Sequence, residues 1–231
     1  MPKDGVNCGV QTLLNGPVLF DLDGTLIDSA PDLAGAGDEM RLARGLPPFG
    51  VQHFRPMVGS GARGMVAQAF GIGPDDASFA GLRDEFLARY EQRMTRETRV
   101  FAHMLPLLDA LDAARRPWGI VTNKASRFAE PVVRALGLGE RAAVLICGDT
   151  TPHSKPHPEP LFEAARRVGM PASQCSYVGD DLRDVQAGRA AGMTTVIAAW
   201  GYLGASDPID AWGADHIVHC ADDLLKLLAL A

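Results

Sequence analysis

The 231-residue sequence lacks several features that would each point to a particular class of protein. No apolar run approaches the ~20 residues of a membrane-spanning helix, and residues 1–16 have no continuous apolar stretch of the kind found in signal peptides. The net charge is −6, which argues against nucleic acid or an anionic membrane as the main partner. We therefore expect a soluble, cytoplasmic protein with a flexible N-terminal tail over residues 1–16.

Cysteine and histidine are too scattered for a zinc site or a disulfide framework. The four cysteines form no CxxC pair, and the six histidines show no ligand spacing. Cys147 and Cys175 lie in apolar runs, so we expect small buried side chains in a reducing compartment. Internal repeats and low-complexity tracts are also absent.

What the sequence does contain is an alternation of short apolar runs with longer segments of helical period. Each apolar run is followed by glycine or a polar residue, which is typical of buried parallel strands. The runs cover residues 17–20, 118–121, 144–147, 177–178, 194–199 and 216–218. The helical segments cover residues 105–116, 127–136, 160–168, 182–191 and 222–230, and Gly137, Gly169 and Gly192 fall where helix C-caps belong.

This alternation predicts an α/β fold with a Rossmann-like, doubly wound parallel sheet. Residues 31–99 break the alternation, because they contain helical patterns and no convincing strand. The helices expected there cover residues 32–44, 62–70 and 77–96. The simplest architecture is a core made of residues 17–30 and 100–231, with an all-α cap over residues 31–99. Ligands of such sheets bind at the carboxyl ends of the strands.

The sharpest chemical signal is Asp21-Leu22-Asp23-Gly24-Thr25, directly after the first strand. Two carboxylates two residues apart can face one crevice if the chain turns there, and Gly24 permits the turn. Because like charges repel, a divalent cation is their natural partner. A calcium-binding loop is the alternative, but it needs more oxygen ligands at regular spacing and a distal glutamate, which this segment lacks.

Three further segments favour an anion site at the same edge of the sheet. Thr122 and Asn123 follow a strand, where a hydroxyl and N–H groups can bind a phosphate oxygen, although a lone threonine there is usually a turn or cap residue. Lys155 lies in a loop stiffened by prolines, which favours a phosphate-facing role over the usual solvated one. Asp180 and Asp184 lie at a strand end and a helix start, where N-capping is the alternative role.

Six of these residues resemble, in the right order, the four motifs of the haloacid dehalogenase superfamily: Asp21 with Asp23, Thr122, Lys155, and Asp180 with Asp184. The likeness extends from about Val18 to the C-terminus, and the combination is far more specific than any single motif. Residues 31–99 resemble the helical C1-type cap of that superfamily.

Within the superfamily, two groups of phosphatases share further segments with this sequence. Residues 21–33 and 155–158 are similar to bacterial phosphoglycolate phosphatases, although Trp200 departs from their pattern. The segments 59–65, 121–124 with 127–131, and 179–184 are similar to N-acetylmuramic acid 6-phosphate phosphatases. Catalytic motifs are common to both groups, so the motifs leave the choice between them open.

The resemblance implies a Mg²⁺-dependent phosphomonoester hydrolase. Asp21 would be the nucleophile that forms an aspartyl-phosphate, and Asp23 the general acid and base. Thr122 and Lys155, with Asn123, would bind the phosphoryl oxygens. The residues expected to hold Mg²⁺ are Asp21, Asp23 through its backbone carbonyl, and Asp180, with Asp184 in support.

The resemblance also implies a small phosphorylated metabolite as the partner, bound by a monomer or homodimer. Thr25 and Asn123 are candidate substrate-binding residues. Arg63 and Arg55 are candidates for pairing a substrate carboxylate, with a solvated surface charge as the alternative for each. Both substrates considered, 2-phosphoglycolate and N-acetylmuramic acid 6-phosphate, carry a carboxylate.

Two other functions compete with hydrolysis. An aspartate at position 23 suits phosphate esters, because their leaving oxygen needs a proton, but it equally permits a phosphomutase of the same fold. A non-catalytic binding domain is disfavoured, since decayed copies usually lose the nucleophile or the lysine, and Asp21 and Lys155 are both present.

Overall fold

The computed structural model of the protein describes residues 14–204 and 208–230. Its centre is a six-stranded, all-parallel sheet with the strand order β5-β4-β1-β6-β7-β8. The strands are β1 (Val18–Phe20), β4 (Trp118–Val121), β5 (Val144–Ile146), β6 (Ser176–Gly179), β7 (Thr194–Ala198) and β8 (His216–Val218). The predicted α/β, doubly wound parallel sheet is confirmed, and all six apolar runs form strands.

Helices cover both faces of this sheet. They are α5 (Met104–Ala113), α6 (Ser126–Ala135), α7 (Glu159–Arg167), α8 (Leu182–Ala190) and α9 (Ala221–Leu227). Because side chains alternate along a strand, Val18 and Phe20 of β1 pack in the cluster of α5, α6 and α9, while Leu19 packs in that of α7 and α8. Among the described residues, no helix is long and apolar enough to cross a bilayer.

Three glycines end helices as the sequence predicts. Gly137, Gly169 and Gly192 follow α6, α7 and α8, with φ values of 69°, 73° and 70°. A left-handed residue after the last helical turn is the usual C-cap, and glycine adopts that conformation without a steric penalty.

The position of β1 in the sheet decides where the chemistry-bearing residues meet. Val18 of β1 pairs with Trp118 of β4 on one side and with Ser176 of β6 on the other. The strands are parallel, so the segments that follow β1, β4 and β6 emerge side by side at one edge. These segments begin at Asp21, Thr122 and Asp180.

The helices between residues 30 and 91 form a helical cap. Its helices are α1 (Ala30–Leu42), α2 (Val51–Phe54), α3 (Gly61–Phe70) and α4 (Phe79–Glu91), and a 3₁₀ segment, Arg55–Ser60, joins α2 to α3. The sequence analysis did not predict α2 or the 3₁₀ segment, since both are too short to show a helical period. The cap's apolar cluster includes two core residues, Phe128 and Tyr202, which pack the cap onto the core.

A two-stranded antiparallel ribbon lies where the chain passes between core and cap. It is formed by β2 (Ile27–Asp28) and β3 (Arg99–Val100), and it was not predicted. Strands of two residues carry no alternation that a sequence pattern can detect.

The expected N-terminal tail needs a correction for residues 14–16. Leu14 is buried, and its N–H donates to the Leu227 carbonyl at 3.2 Å. Arg116 donates to the Gly16 carbonyl at 2.7 Å and also to the Leu14 carbonyl. These contacts hold the segment against the core, while the remainder of the predicted tail, residues 1–13, lies outside the described residues.

The described cysteines are free thiols. Cys147 and Cys175 are buried as expected, and burial raises the pKa of the Cys147 thiol to about 11. Cys220 is exposed rather than buried. Cys8 lies outside the described residues.

Candidate active site

The polar segments at the ends of β1, β4 and β6 enclose a cavity of about 140 Å³ beneath the cap. Seven predicted site residues line this cavity: Asp21, Asp23, Thr122, Asn123, Lys155, Asp180 and Asp184. We call this space the inner cavity. The other three predicted site residues, Thr25, Arg55 and Arg63, are not in its lining.

Lys155 is the buried cation of the site. Its side chain is only 3% exposed, and its Nζ lies 2.9 Å from Asp21 Oδ1 and 2.7 Å from Asp184 Oδ1. Nζ also lies 3.0 Å from the Val121 carbonyl and 2.7 Å from the Tyr177 hydroxyl. Burial alone would lower the pKa of Lys155, but Asp184 and Asp21 outweigh it, so the net pKa is raised. The ammonium therefore stays charged at neutral pH.

Three carboxylates lie close together here, and two of them, those of Asp21 and Asp184, contact this ammonium. Asp21, Asp180 and Asp184 each offer one oxygen, and these oxygens lie within 4.8 Å of one another. Burial raises the pKa of Asp21 to about 7, with Lys155 opposing the shift and Asp184 adding to it. Burial, with Asp21 and Asp184, also raises the pKa of Asp180 well above its usual value. Carboxylate oxygens crowded in this way fit a hard divalent cation such as Mg²⁺.

Asp180 is positioned by hydrogen bonds to both of its oxygens. The Thr25 hydroxyl donates to Oδ1 at 2.8 Å, and the Tyr202 N–H donates to Oδ2 at 2.8 Å. A Cβ added at Gly24 or Gly201 would lie 2.2 or 2.1 Å from an Asp180 atom, so the backbone closes around this carboxylate. Thr25 is fully buried, which places it behind Asp180 rather than in the expected contact with a substrate.

Trp200, the residue that departs from the phosphoglycolate phosphatase pattern, has a structural contact next to this carboxylate. Its indole Nε1–H donates to the Thr25 carbonyl at 3.1 Å, and its ring packs edge-on against His103 at 5.0 Å between centroids. The substitution therefore braces the segment that holds Asp180.

The tight contact at Gly201 leads to a prediction. Gly201→Ala should displace Asp180 and destabilise the protein by ~1–3 kcal/mol, because the added Cβ overlaps the carboxylate. Urea denaturation measures the stability, and calorimetric titration measures the accompanying loss of Mg²⁺ affinity. Gly81→Ala is the matched control, since nothing lies within 4 Å of its added Cβ. Equal stability and Mg²⁺ affinity in both variants would contradict the proposed role of the contact.

Asp23 is held by two residues that the sequence analysis did not select. The Ser29 hydroxyl donates to Asp23 Oδ1 at 2.5 Å, and Lys124 Nζ lies 3.1 Å from both carboxylate oxygens. Lys124 is 8% exposed on its side chain and lies 4.8 Å from the centre of the Tyr90 ring, which belongs to the cap. Two signals were available for Lys124: its position directly after Thr122 and Asn123, and its place in the segment 121–124 that resembles N-acetylmuramic acid 6-phosphate phosphatases. Neither singled it out, because a lone lysine at this point resembles a surface residue.

Asn123 braces the loop that carries Lys155. Its side-chain Nδ2 donates to the Lys155 carbonyl at 2.9 Å, and its Oδ1 accepts from the Lys155 N–H at 3.0 Å. Thr122 is 3% exposed, and its hydroxyl accepts from the Lys124 N–H at 3.1 Å. Asn123 therefore links the end of β4 to the lysine loop through its side chain.

The two candidate arginines have different environments. Arg55 donates to both oxygens of Asp28, at 3.1 and 2.8 Å, and so joins the cap to the ribbon. Its charge is already paired, and it lies outside the inner cavity. Arg63 is exposed on α3 and, within the described part of the chain, forms no hydrogen bond or ion pair. It lines a neighbouring hollow of about 460 Å³.

Comparisons with known proteins agree with the family resemblance seen in the sequence. The sequence profile of the haloacid dehalogenase-like hydrolase family matches residues 18–198. An N-acetylmuramic acid 6-phosphate phosphatase of Pseudomonas aeruginosa is 45% identical over 211 residues, which cover 91% of this chain and 93% of the relative. A phosphoglycolate phosphatase of Xanthomonas campestris pv. campestris is 48% identical over 202 residues, covering 87% and 90%.

The fold is shared with solved structures over almost the full length. The crystal structure of a predicted phosphoglycolate phosphatase from Haemophilus somnus 129pt superposes with a TM-score of 0.81 at 26% sequence identity. The superposition covers 94% of this chain and 99% of that one. The likeness therefore includes both the sheet and the inserted helices.

Proposed function

The chain belongs to the haloacid dehalogenase-like hydrolase family and is a phosphatase, and we propose that it hydrolyses a small, carboxylate-bearing phosphomonoester through an aspartyl-phosphate on Asp21. The substrates that the relatives suggest are 2-phosphoglycolate and N-acetylmuramic acid 6-phosphate. The observation that carries the proposal is the contact of Asp21 with Lys155 in a cavity that Asp180 and Asp184 also line.

The surroundings of Asp21 support its role as the nucleophile. Asp21 Oδ1 accepts the Leu22 N–H at 2.8 Å and lies 2.9 Å from Lys155 Nζ. Both contacts orient the carboxylate, whose side chain is 14% exposed toward the cavity. In the proposed first step, an Asp21 oxygen attacks phosphorus in line, the bond to the ester oxygen breaks, and a phosphoryl group remains on Asp21.

The contacts of Asp23 orient it for the proposed role of general acid and base. In the first step its carboxyl would give a proton to the departing oxygen, and in the second it would take one from the water that hydrolyses the aspartyl-phosphate. Ser29 and Lys124 restrict the orientation of its carboxyl group. Such orientation keeps the proton donor aligned through both steps.

The remaining charges suit a transferring phosphoryl group. Lys155 and Thr122 line the inner cavity with Asn123 and would bind the phosphoryl oxygens. Asp21, the Asp23 backbone carbonyl and Asp180 would hold Mg²⁺. Mg²⁺ there supplies charge neutralisation between an anionic nucleophile and an anionic substrate.

The proposed function is tested by comparing rates of phosphate release. Purified protein with Mg²⁺ is assayed with 2-phosphoglycolate, N-acetylmuramic acid 6-phosphate, hexose phosphates and nucleoside monophosphates. A preference of ~100-fold in kcat/KM, or about 2.7 kcal/mol of transition-state binding, identifies the substrate. Isomer formation that needs a bisphosphate activator, with little phosphate release, would replace the hydrolase by a phosphomutase.

The carboxylate cluster also predicts how Mg²⁺ stabilises the protein at different pH. The pKa of Asp21 is about 7 in the folded metal-free protein, against an ordinary value of 3.8 that applies to the unfolded chain. Asp21 therefore stabilises the folded protein fully below pH 3.8, and this stabilisation is lost as the pH rises through 7. The metal-free protein should therefore lose stability between pH 5 and pH 8. Calorimetry should show a larger Mg²⁺-induced rise in Tm at pH 8 than at pH 5. Equal rises at both values would contradict a cation bound to Asp21.

A further inference from the structure

A second hollow adjoins the inner cavity, and one stretch of the cap lies between them. Val58, Gly59 and Gly61 line the inner cavity, while Met57, Ser60 and Arg63 line the second hollow, which we call the outer chamber. Arg183, on α8 of the core, lines both spaces. Residues 57–63 and Arg183 therefore form a shared wall.

The guanidinium of Arg183 is fixed in this wall. Its Nε and Nη2 donate to the two oxygens of Asp181 at 2.7 and 2.8 Å, and Nη2 also donates to the Gly59 carbonyl. Asp181 is itself fixed, because it caps α8 by accepting the Arg183 N–H at 2.9 Å. Within the described residues, Nη1 of Arg183 makes no hydrogen bond, so two of its five N–H donors remain available.

The two spaces differ in size and in available charge. The inner cavity has about 140 Å³, below the ~300–1,000 Å³ usual for small-molecule sites, and the outer chamber adds about 460 Å³. The lysines of the inner cavity are both paired, Lys155 with Asp21 and Lys124 with Asp23. Arg63, in the outer chamber, has no partner in the described part of the chain. Arg183 in the wall and Arg63 in the outer chamber therefore offer charged N–H donors that no protein group in the described structure occupies.

We propose that the outer chamber binds the part of the substrate beyond the phosphate, and that Arg183 Nη1 and Arg63 bind its carboxylate. The inference rests on the proposed function and narrows its substrate class. A two-carbon phospho-acid carries its carboxylate one carbon from the ester oxygen, which would keep the carboxylate beside the phosphate in the inner cavity, and Arg63 does not line that cavity. A carboxylate on a sugar-sized spacer can reach the outer chamber, so the favoured substrate is a carboxylated sugar phosphate.

The variants separate two effects: the loss of the Arg183 charge itself, and the unpaired Asp181 carboxylate that this loss would leave behind. Arg183→Gln alone would leave the Asp181 carboxylate unpaired, and this charge would itself repel a substrate anion. The double variant Asp181→Asn/Arg183→Gln removes both charges and keeps a good N-cap. Arg63→Gln tests the outer chamber independently. Arg83→Gln is the matched control, because Arg83 pairs with the neighbouring Asp84 on the outer surface of the cap.

Two sugar phosphates isolate the carboxylate. N-acetylmuramic acid 6-phosphate and N-acetylglucosamine 6-phosphate differ only by the lactyl ether that carries it. We expect the wild type to prefer the carboxylated sugar by ~30-fold or more in kcat/KM. Arg63→Gln and Asp181→Asn/Arg183→Gln should each reduce this ratio to within ~5-fold, mainly through KM. The Arg83→Gln ratio should equal that of the wild type.

The outcomes separate this inference from the proposed function. Hydrolysis of 2-phosphoglycolate with a kcat/KM equal to or above that of the carboxylated sugar overturns the inference and leaves the phosphatase mechanism intact. The inference is also overturned if neither Arg63→Gln nor Asp181→Asn/Arg183→Gln changes the ratio of kcat/KM between the two sugar phosphates. Turnover of none of the phosphomonoesters would overturn the proposed function as well. Thermal unfolding of every variant verifies that the comparison is made on folded protein.

Discussion

Asp21→Asn is expected to abolish turnover and, at the same time, to stabilise the metal-free protein at pH 8. Asparagine cannot form the aspartyl-phosphate, so kcat should fall by ~10³-fold or more. The stabilisation follows from burial, which raises the pKa of Asp21 to about 7. Above that pH the folded protein holds an unfavourable carboxylate charge, which the amide lacks.

The size and the pH dependence of this stabilisation can both be measured. A shift of about three pKa units sets an upper bound of ~4 kcal/mol, and relaxation of the site should leave ~1–3 kcal/mol, or several degrees in Tm. The stabilisation should shrink toward pH 5, where the wild-type carboxyl is itself protonated. The measurements are phosphate release with Mg²⁺, and thermal unfolding in EDTA at both pH values.

Asp75→Asn is the matched control for this variant. Asp75 is exposed in the cap and has no side-chain contact in the described structure, so its substitution should leave both turnover and the pH dependence of stability unchanged. Substantial phosphatase activity in Asp21→Asn would rule out a covalent intermediate on this residue. A metal-free Asp21→Asn protein that is less stable than the wild type at pH 8 would contradict the electrostatic account.

Lys155→Met should cause the largest loss of stability among single substitutions in the site. Removing the ammonium leaves Asp21 and Asp184 buried without their cation, and breaking a buried ion pair in this way costs ~3–5 kcal/mol. Turnover should fall by ~10³-fold or more, because the charge that would bind the phosphoryl oxygens is lost. Urea denaturation in EDTA and phosphate release with Mg²⁺ measure the two effects.

A double-variant cycle distinguishes this electrostatic cause from a packing defect. Lys155→Met/Asp184→Asn removes one of the two stranded carboxylates, so the double variant should be more stable than the sum of the single effects by ~1 kcal/mol or more. Its activity should remain lost. Strict additivity of the two stability changes would show that Lys155 and Asp184 do not interact as the 2.7 Å contact indicates.

The sheet and the grouping of its catalytic segments could be predicted from local pattern alone. Each apolar run of the core forms a strand, and parallel strands place their carboxyl ends at one edge. The order of the strands within the sheet was not predicted, and the structure places β1 between β4 and β6. Asp21, Thr122 and Asp180 follow β1, β4 and β6, and the structure brings them to the same cavity.

Elements without a local pattern could not be predicted in this way. The ribbon of β2 and β3 has two residues in each strand, and α2 has four residues, so neither repeats often enough to show a period. Leu14 lies at the end of a polar segment, yet it is buried because Arg116 and Leu227, far along the chain, bind its backbone. In each case contacts distant in sequence provide the stability.

The sequence by itself determined the fold class, the placement of polar residues at the carboxyl ends of the strands and the residue types that suit phosphoryl transfer, because these depend on periodicity and short motifs. Only the tertiary structure decided which charged side chains have an ion-pair partner. The sequence gives no reason to distinguish Arg55 from Arg63 as a candidate for binding a carboxylate, yet in the structure Asp28 pairs with Arg55 and not with Arg63. Lys124 resembles a surface lysine until Asp23, 101 residues away, is brought to 3.1 Å. Electrostatic pairing depends on distance in space, which the fold alone provides.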